Sequence, residues 1–169
     1  MTDLAQWMDG LGDMWPVYVS DVGRLALAAA CGALVGGQRE RRDKAAGLRT
    51  HMLLAVGACL FTLVAIRVHP DDITRLIQGI VTGAGFLAGG VIFREGASVR
   101  GLTTAVGLWV MGAVGLAIGV GEYFLGILAT AVTFVVLSFL QWVEQRIARH
   151  PGEGPPHSGG EGPRAAGGA

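Results

Sequence analysis

"GGQRERRDKAAGLRTH", residues 36–51, carries Arg39, Arg41, Arg42, Lys44 and Arg49, with Glu40 and Asp43 among them. Apolar sequence lies on both sides of it. The chain of 169 residues is 15% charged, with a mean hydropathy of +0.51 and a formal net charge of 0, whereas a soluble domain carries about 25% charged residues. Uncharged blocks run over Leu76–Phe93, Gly101–Gly121 and Tyr123–Val143. A shorter block covers Thr50–Ile66, and a fifth, Leu25–Gln38, becomes long enough if it starts near Trp15. A helix needs roughly 17–25 mostly apolar residues to cross a bilayer. The expected fold is therefore all-α, a polytopic membrane bundle of about five transmembrane helices. A soluble bundle would need a polar face on each helix, which these blocks mostly lack.

The basic window then sets an expected orientation. Cytoplasmic loops are enriched in Lys and Arg. Placing residues 39–49 inside puts Arg94 and Arg100 in a second inner loop and Arg146, Arg149 and Arg164 in the inner tail, leaving only Arg24, Arg67 and Arg75 outside. The N-terminus is expected outside and the C-terminus in the cytoplasm. Three segments follow: a periplasmic 1–22, a membrane domain over 23–149, and a Gly/Pro-rich tail over 150–169 that cannot bury apolar surface and should be disordered. Met1–Gly23 lacks the basic start and small-residue cleavage site of a signal peptide. Leu4, Trp7, Met8, Leu11 and Trp15 share one helical face, which suits a short interfacial helix. Cys31 and Cys59 sit inside spans and read as small buried apolar residues, with no metal or disulfide spacing.

Glycine is abundant, at 28 residues. Gly79 and Gly83, Gly85 and Gly89, Gly115 and Gly119, and Gly32 and Gly36 form small-xxx-small pairs that let membrane helices approach closely, and Gly90 ends the densest run. So many glycines in the third span would also permit a kink or local unwinding.

Polar residues fall in four clusters. In the basic window, Thr50 can cap the helix that follows. In "HPDDITRLIQG", residues 69–79, Asp71 or Asp72 can cap the third span, and Arg75 and Gln78 lie about one turn apart. Polar groups at that depth usually face a bundle interior or a cavity, although arginine can also snorkel. In residues 91–109, Arg94, Glu95 and Arg100 bracket a glycine-containing turn, and Thr103 and Thr104 stand at a helix start where backbone N–H groups favour an anion. That loop is equally a positive-inside turn closed by an Arg–Glu pair. Asp21 and Arg24, three apart, can pair on one helix. No enzyme constellation is present, with no Gly-x-Ser-x-Gly, His-Glu-x-x-His or phosphate-binding loop. The four serines, Ser20, Ser98, Ser138 and Ser158, are in unrelated places. The basic window lacks aromatics for stacking bases, so nucleic acid is not an expected partner.

Three long stretches, "GQRERRDKAAGLRTHMLLAVGACLFTL", "ITRLIQGIVTGAGFLAGGVIFREG" and "SVRGLTTAVGLWVMGAVGLAIGVG", resemble the MgtC/SapB family of bacterial inner-membrane proteins. The resemblance runs from about Arg24 to Leu140. It implies a compact membrane domain of about five helices and a link to growth when Mg2+ is scarce, and some family members are thought to restrain the F-type ATP synthase. By motif it singles out Arg39, Glu40, Arg42, Gly47, Leu48, Arg49 and Thr50 in the first loop. On the third span it singles out Arg75, Gln78, Gly83, Gly85, Phe86 and Gly90. Beyond that span it singles out Arg94, Glu95, Gly96, Arg100, Gly101, Leu102, Thr103, Thr104 and Trp109. Gln38 stands where the family usually has a carboxylate. Only a Gly/Pro tail follows Arg149, which implies the short form, without the soluble C-terminal domain that many members carry.

Three functions are consistent with these residues. The first is a regulator bound to another membrane complex, the ATP synthase among the candidates, with a homodimer as the source of any symmetry. The second is a transporter of Mg2+ or another cation, with Asp71, Asp72 and Glu95 as candidate metal contacts. Mg2+ is met by carboxylates and carbonyls, and the acidic residues here lie at the ends of spans. The third is a lipid- or anion-binding protein using Arg94, Arg100 and the helix start at Thr103. No resident cofactor is expected, Mg2+ being a ligand or a substrate.

Overall fold

The computed structural model describes the backbone of residues 2–68, 70–96 and 98–148, with side chains over 15–68, 70–94, 96 and 98–139. The tail expected at 150–169 lies outside these residues. Five helices form an up-and-down bundle: α1 (Thr2–Glu40), α2 (Leu48–Val68), α3 (Ile73–Gly89), α4 (Leu102–Val120) and α5 (Tyr123–Ala148). The segments Trp15–Glu40, Leu48–Val68 and Leu102–Val120 are long and apolar enough to cross a membrane. The all-α bundle is as expected, with one addition. A two-stranded antiparallel hairpin, β1 (Phe93–Glu95) and β2 (Ser98–Arg100), joins α3 to α4, with Arg94 opposite Val99.

The N-terminal segment does not form an element of its own. α1 continues from Thr2 through Pro16 to Glu40, although an interior proline removes one N–H from the ladder and crowds the carbonyl four residues earlier. α3 is continuous rather than unwound, and it stops at Gly89, short of the expected Phe93. Gly90 and Val91 fold back on the carbonyls of residues 86–88, and the chain then enters β1. Gly101 makes the next turn possible. Its φ is 88°, a left-handed value, and a Cβ there would lie 1.9 Å from the Val91 carbonyl oxygen. Only glycine satisfies both conditions.

α4 is the central helix, with Leu108, Met111, Val114 and Ile118 almost fully buried. Ala28, Cys31 and Val35 of α1, Ala55, Cys59 and Leu63 of α2 and Leu137 of α5 complete this core. The glycines divide sharply. Gly32 and Gly36 press α1 onto α2, where an added Cβ would sit 2.7 Å from the His51 carbonyl oxygen or 2.8 Å from Leu48 Cα. Gly115 and Gly119 press α4 onto the other side of α2, at 2.1 Å from the Ala55 carbonyl oxygen and 2.6 Å from Thr62 Cβ. α2 is therefore clamped between two glycine faces. The third-span glycines behave differently. A Cβ at Gly79, Gly83 or Gly89 meets nothing within 4 Å, one at Gly85 makes only ordinary contact with Trp109 at 3.9 Å, and one at Gly90 meets only its own helix at Leu87. These residues do not hold helices together within this chain.

The α3 glycines border an open apolar groove of about 1140 Å³ between α2 and α3, with Leu108 of α4 at its floor. It runs from Arg49 and Thr50 to Val68 along α2, roughly 28 Å at 1.5 Å per residue.

A buried cationic junction at the Arg39 end

Short connections put alternate helix ends together. The α1–α2 loop, the hairpin and α5 beyond Leu137 share one end of the bundle. Arg24, Arg67 and Tyr123 mark the other. At the first end the last turn of α1 carries Arg39 into the bundle, where it is only 2% exposed. Its Nη2 donates to Thr104 Oγ1 in the first turn of α4. Its Nε and Nη1 are buried and have no hydrogen-bond partner among the described residues. One residue earlier, Gln38 Nε2 donates to Ser138 Oγ of α5, and Gln38 Oε1 is buried without a partner among the described residues. Arg42 Nη1 donates to the Leu137 carbonyl at 3.2 Å.

His51 closes the junction from α2. It is fully buried, and its Nδ1 lies 2.8 Å from the Gly47 carbonyl oxygen. A carbonyl only accepts, so the ring proton sits on Nδ1 and Nε2 is an acceptor. Nε2 is buried, has no hydrogen-bond partner among the described residues, and lies beside α4, where a Cβ on Gly107 would be 3.8 Å away. Thr104 and Gly107 are one turn apart on α4, so Arg39 and His51 approach the same face. Glu40 Oε2 accepts the Leu48 N–H at 2.6 Å. Glu40, rather than Thr50, therefore satisfies the start of α2.

A guanidinium at 2% exposure with no carboxylate beside it among the described residues is an unusual arrangement, because buried charges are normally paired. The junction therefore holds a positive potential. At an effective dielectric of about 20, a divalent cation about 8 Å from this charge would be repelled by about 4 kcal/mol.

The other residues singled out by sequence are scattered. Arg49 and Thr50 are exposed at one end of the α2–α3 groove. Arg75 and Gln78 are exposed at the opposite end of the bundle. Asp72 stands at the α3 N-cap without a capping hydrogen bond, and its Oδ2 pairs instead with Arg75 Nε at 3.3 Å, both side chains being solvent-accessible. Asp71 is exposed. Arg94 Nε donates to the Gly96 carbonyl at 3.0 Å, so the turn closes on backbone. The side chain of Glu95 lies outside the description. Arg100 and Thr103 are exposed, and Trp109 is 45% exposed beside α3. Among the described residues no three His, Cys, Asp or Glu side chains converge as metal ligands do.

Asp21 and Arg24 do not pair with each other. Asp21 pairs with Arg67 of α2. Arg24 donates from Nε to Tyr123 Oη at 2.9 Å and from Nη1 to the Gly119 carbonyl at 2.8 Å, with its guanidinium carbon 5.7 Å from the Tyr123 ring centroid. Partners on two other helices, α4 and α5, thus take two of its N–H donors. Gln38, Ser138 and His51 are the junction residues that the sequence reading did not select. Each is a polar side chain in an otherwise apolar helix, and that is the signal that would have found them.

Apolar helices joined by short loops around a buried polar junction define an integral membrane protein. The chain belongs to the MgtC family, whose model matches residues 25–146. It is 41% identical over 127 residues to Protein MgtC of Salmonella typhimurium (strain LT2), covering 75% of this chain and 55% of that protein. It is 40% identical over 134 residues to "Putative magnesium transporter YhiD" of Escherichia coli (strain K12), covering 73% and 62%. The chain thus spans little more than half the length of these relatives. No solved structure matches it.

Proposed function

We propose that this chain acts in Mg2+ homeostasis as a regulator that docks on another membrane complex, and that it is not itself the path of the ion. The observation that supports this is the buried guanidinium of Arg39 at the junction of α1, α2 and α4, which has no carboxylate partner among the described residues. A cation path through the bundle would end against it. In this reading all five helices cross the cytoplasmic membrane of a bacterium. The Arg39 end, where Arg41, Arg42, Lys44, Arg49, Arg94 and Arg100 also gather, faces the cytoplasm. Through the family resemblance, the F-type ATP synthase is the first partner to test.

Mg2+ entry into sealed liposomes holding only the purified protein, reported by an indicator dye inside, tests the proposal. Entry no faster than into empty liposomes, together with recovery of a membrane complex from native membranes, supports the regulator. Saturable entry abolished by Asp71→Ala or Glu95→Ala would establish the second reading, a transporter, which the name of the Escherichia coli relative favours.

A further inference from the structure

The α2–α3 groove ends at a group of hydrogen-bond donors that the junction does not use. Arg49 lies in the first turn of α2 and is exposed, and no hydrogen bond or ion pair engages it among the described residues. Thr50 follows it with an exposed hydroxyl. Their backbone N–H groups belong to the first turn, which has no intrahelical acceptors. Glu40 takes the N–H of Leu48, and the N–H of His51 goes to the Gly47 carbonyl, so those of Arg49 and Thr50 remain. The helix N-terminus adds positive potential at the same point, partly offset by the Glu40 carboxylate on the Leu48 N–H. Arg41, Arg42 and Lys44 in the preceding loop outnumber Glu40 and Asp43.

Below these donors the groove is apolar. Leu53 and Gly57 of α2 and Gly83 and Leu87 of α3 form its walls next to Arg49. Gly57 and Gly83 have open space where a Cβ would stand. From Arg49 to Phe61 along α2 is about 18 Å, a little more than half the roughly 30 Å hydrocarbon thickness of a bilayer. The polar end thus sits at headgroup level and the apolar part has the depth of one leaflet.

We infer that this groove binds one anionic phospholipid, its phosphate held by the Arg49 guanidinium, the Thr50 hydroxyl and the first-turn N–H groups of α2, and an acyl chain lying against Gly57 and Gly83. Donors concentrated at one end and an apolar remainder match an amphiphile with an anionic head. A helix from a second copy of this chain would fill the apolar length but would bring nothing that calls for the cationic end. The inference goes beyond the regulatory reading and stands whichever way the Mg2+ flux measurement falls.

The test is native mass spectrometry of the purified full chain from mild detergent, titrated with phosphatidylglycerol or with phosphatidylcholine of the same acyl chains. Wild type is expected to hold one phosphatidylglycerol in preference to phosphatidylcholine. Arg49→Ala should weaken phosphatidylglycerol about fivefold and leave phosphatidylcholine unchanged, and Arg49→Lys should fall between. Gly83→Leu should exclude both lipids while keeping the wild-type unfolding temperature, because a side chain there meets open space. Equal binding of the two lipids by wild type, or phosphatidylglycerol binding indifferent to Arg49→Ala, overturns the inference. So does a lipid-free dimer that Gly83→Leu splits into monomers, which would make the groove an interface between copies.

Discussion

Replacing Gly115 with alanine should be among the most damaging single-methyl changes in this protein, and replacing Gly83 with alanine among the mildest. At Gly115 the new Cβ would lie 2.1 Å from the Ala55 carbonyl oxygen and 2.9 Å from both the Ala55 carbonyl carbon and Ala58 Cβ. Ordinary contact starts at 3.4 Å, so α4 and α2 must part by about 1.3 Å. Two of the three obstructing atoms are backbone, so no side chain can swing aside. Overpacking costs about 1–3 kcal/mol, and with backbone in the way the expected loss is about 3 kcal/mol. The parting also loosens Met111, Val114 and Ile118 against Cys59 and Leu63. At Gly83 the Cβ meets nothing within 4 Å, and alanine is favoured over glycine in a helix by about 1 kcal/mol. Cys31 and Cys59 are both buried, so a thiol-reactive fluorophore reports opening of the bundle directly. In detergent at rising temperature, Gly115→Ala should expose the thiols about 6–12 °C earlier than wild type, as roughly 3 kcal/mol implies for a domain of this size. Gly83→Ala should melt at the wild-type temperature or slightly above it. Equal melting of the two variants would refute the assignment of Gly115 to a helix contact and of Gly83 to an open face.

Arg39→Met should fold and melt within about 1 kcal/mol of wild type or above it, because it removes an uncompensated buried charge and leaves a side chain of similar length, while Arg39→Ala should melt lower through the cavity it opens. Both should fail to complement Mg2+-limited growth, and a methionine variant that grows normally would remove Arg39 from function. Gly101→Ala should destabilise by about 2 kcal/mol or more, because of its φ of 88° and the 1.9 Å approach to Val91, whereas Gly96→Ala, with φ 61° and open space around it, should cost only about 1 kcal/mol. Chemical denaturation of the two variants side by side separates strain from strain plus clash. Ser98→Cys in the hairpin should react with a membrane-impermeant maleimide only after the cells are opened, and labelling of intact cells would reverse the proposed orientation.

Much of the architecture was legible along the chain. Five apolar blocks, short charged connections and the one basic window determine the number of helices and which ends lie together, because hydropathy and loop charge are local properties. The three long motifs were enough to indicate the family. The sequence also placed Arg39, Arg42 and Thr104 among the residues of interest. It could not show that Arg39 of α1 meets Thr104 of α4, or that His51 arrives from α2 to face the same turn. Those meetings depend on how far each helix is rotated about its axis, and apolar helices with no polar face leave that rotation unspecified until neighbours pack. The glycine pairs make the same point. Gly79 and Gly83 on α3 read like Gly115 and Gly119 on α4, yet one pair faces open space and the other touches the backbone and side chains of α2. Asp21 and Arg24 were spaced to pair on one helix, but Arg67 and Tyr123 supply partners from other helices. Sequence determined which residues could pack closely or carry charge into the bilayer. The tertiary structure decided which of them do so, because only the assembled bundle brings distant helices within the few ångströms over which hydrogen bonds and van der Waals contact act.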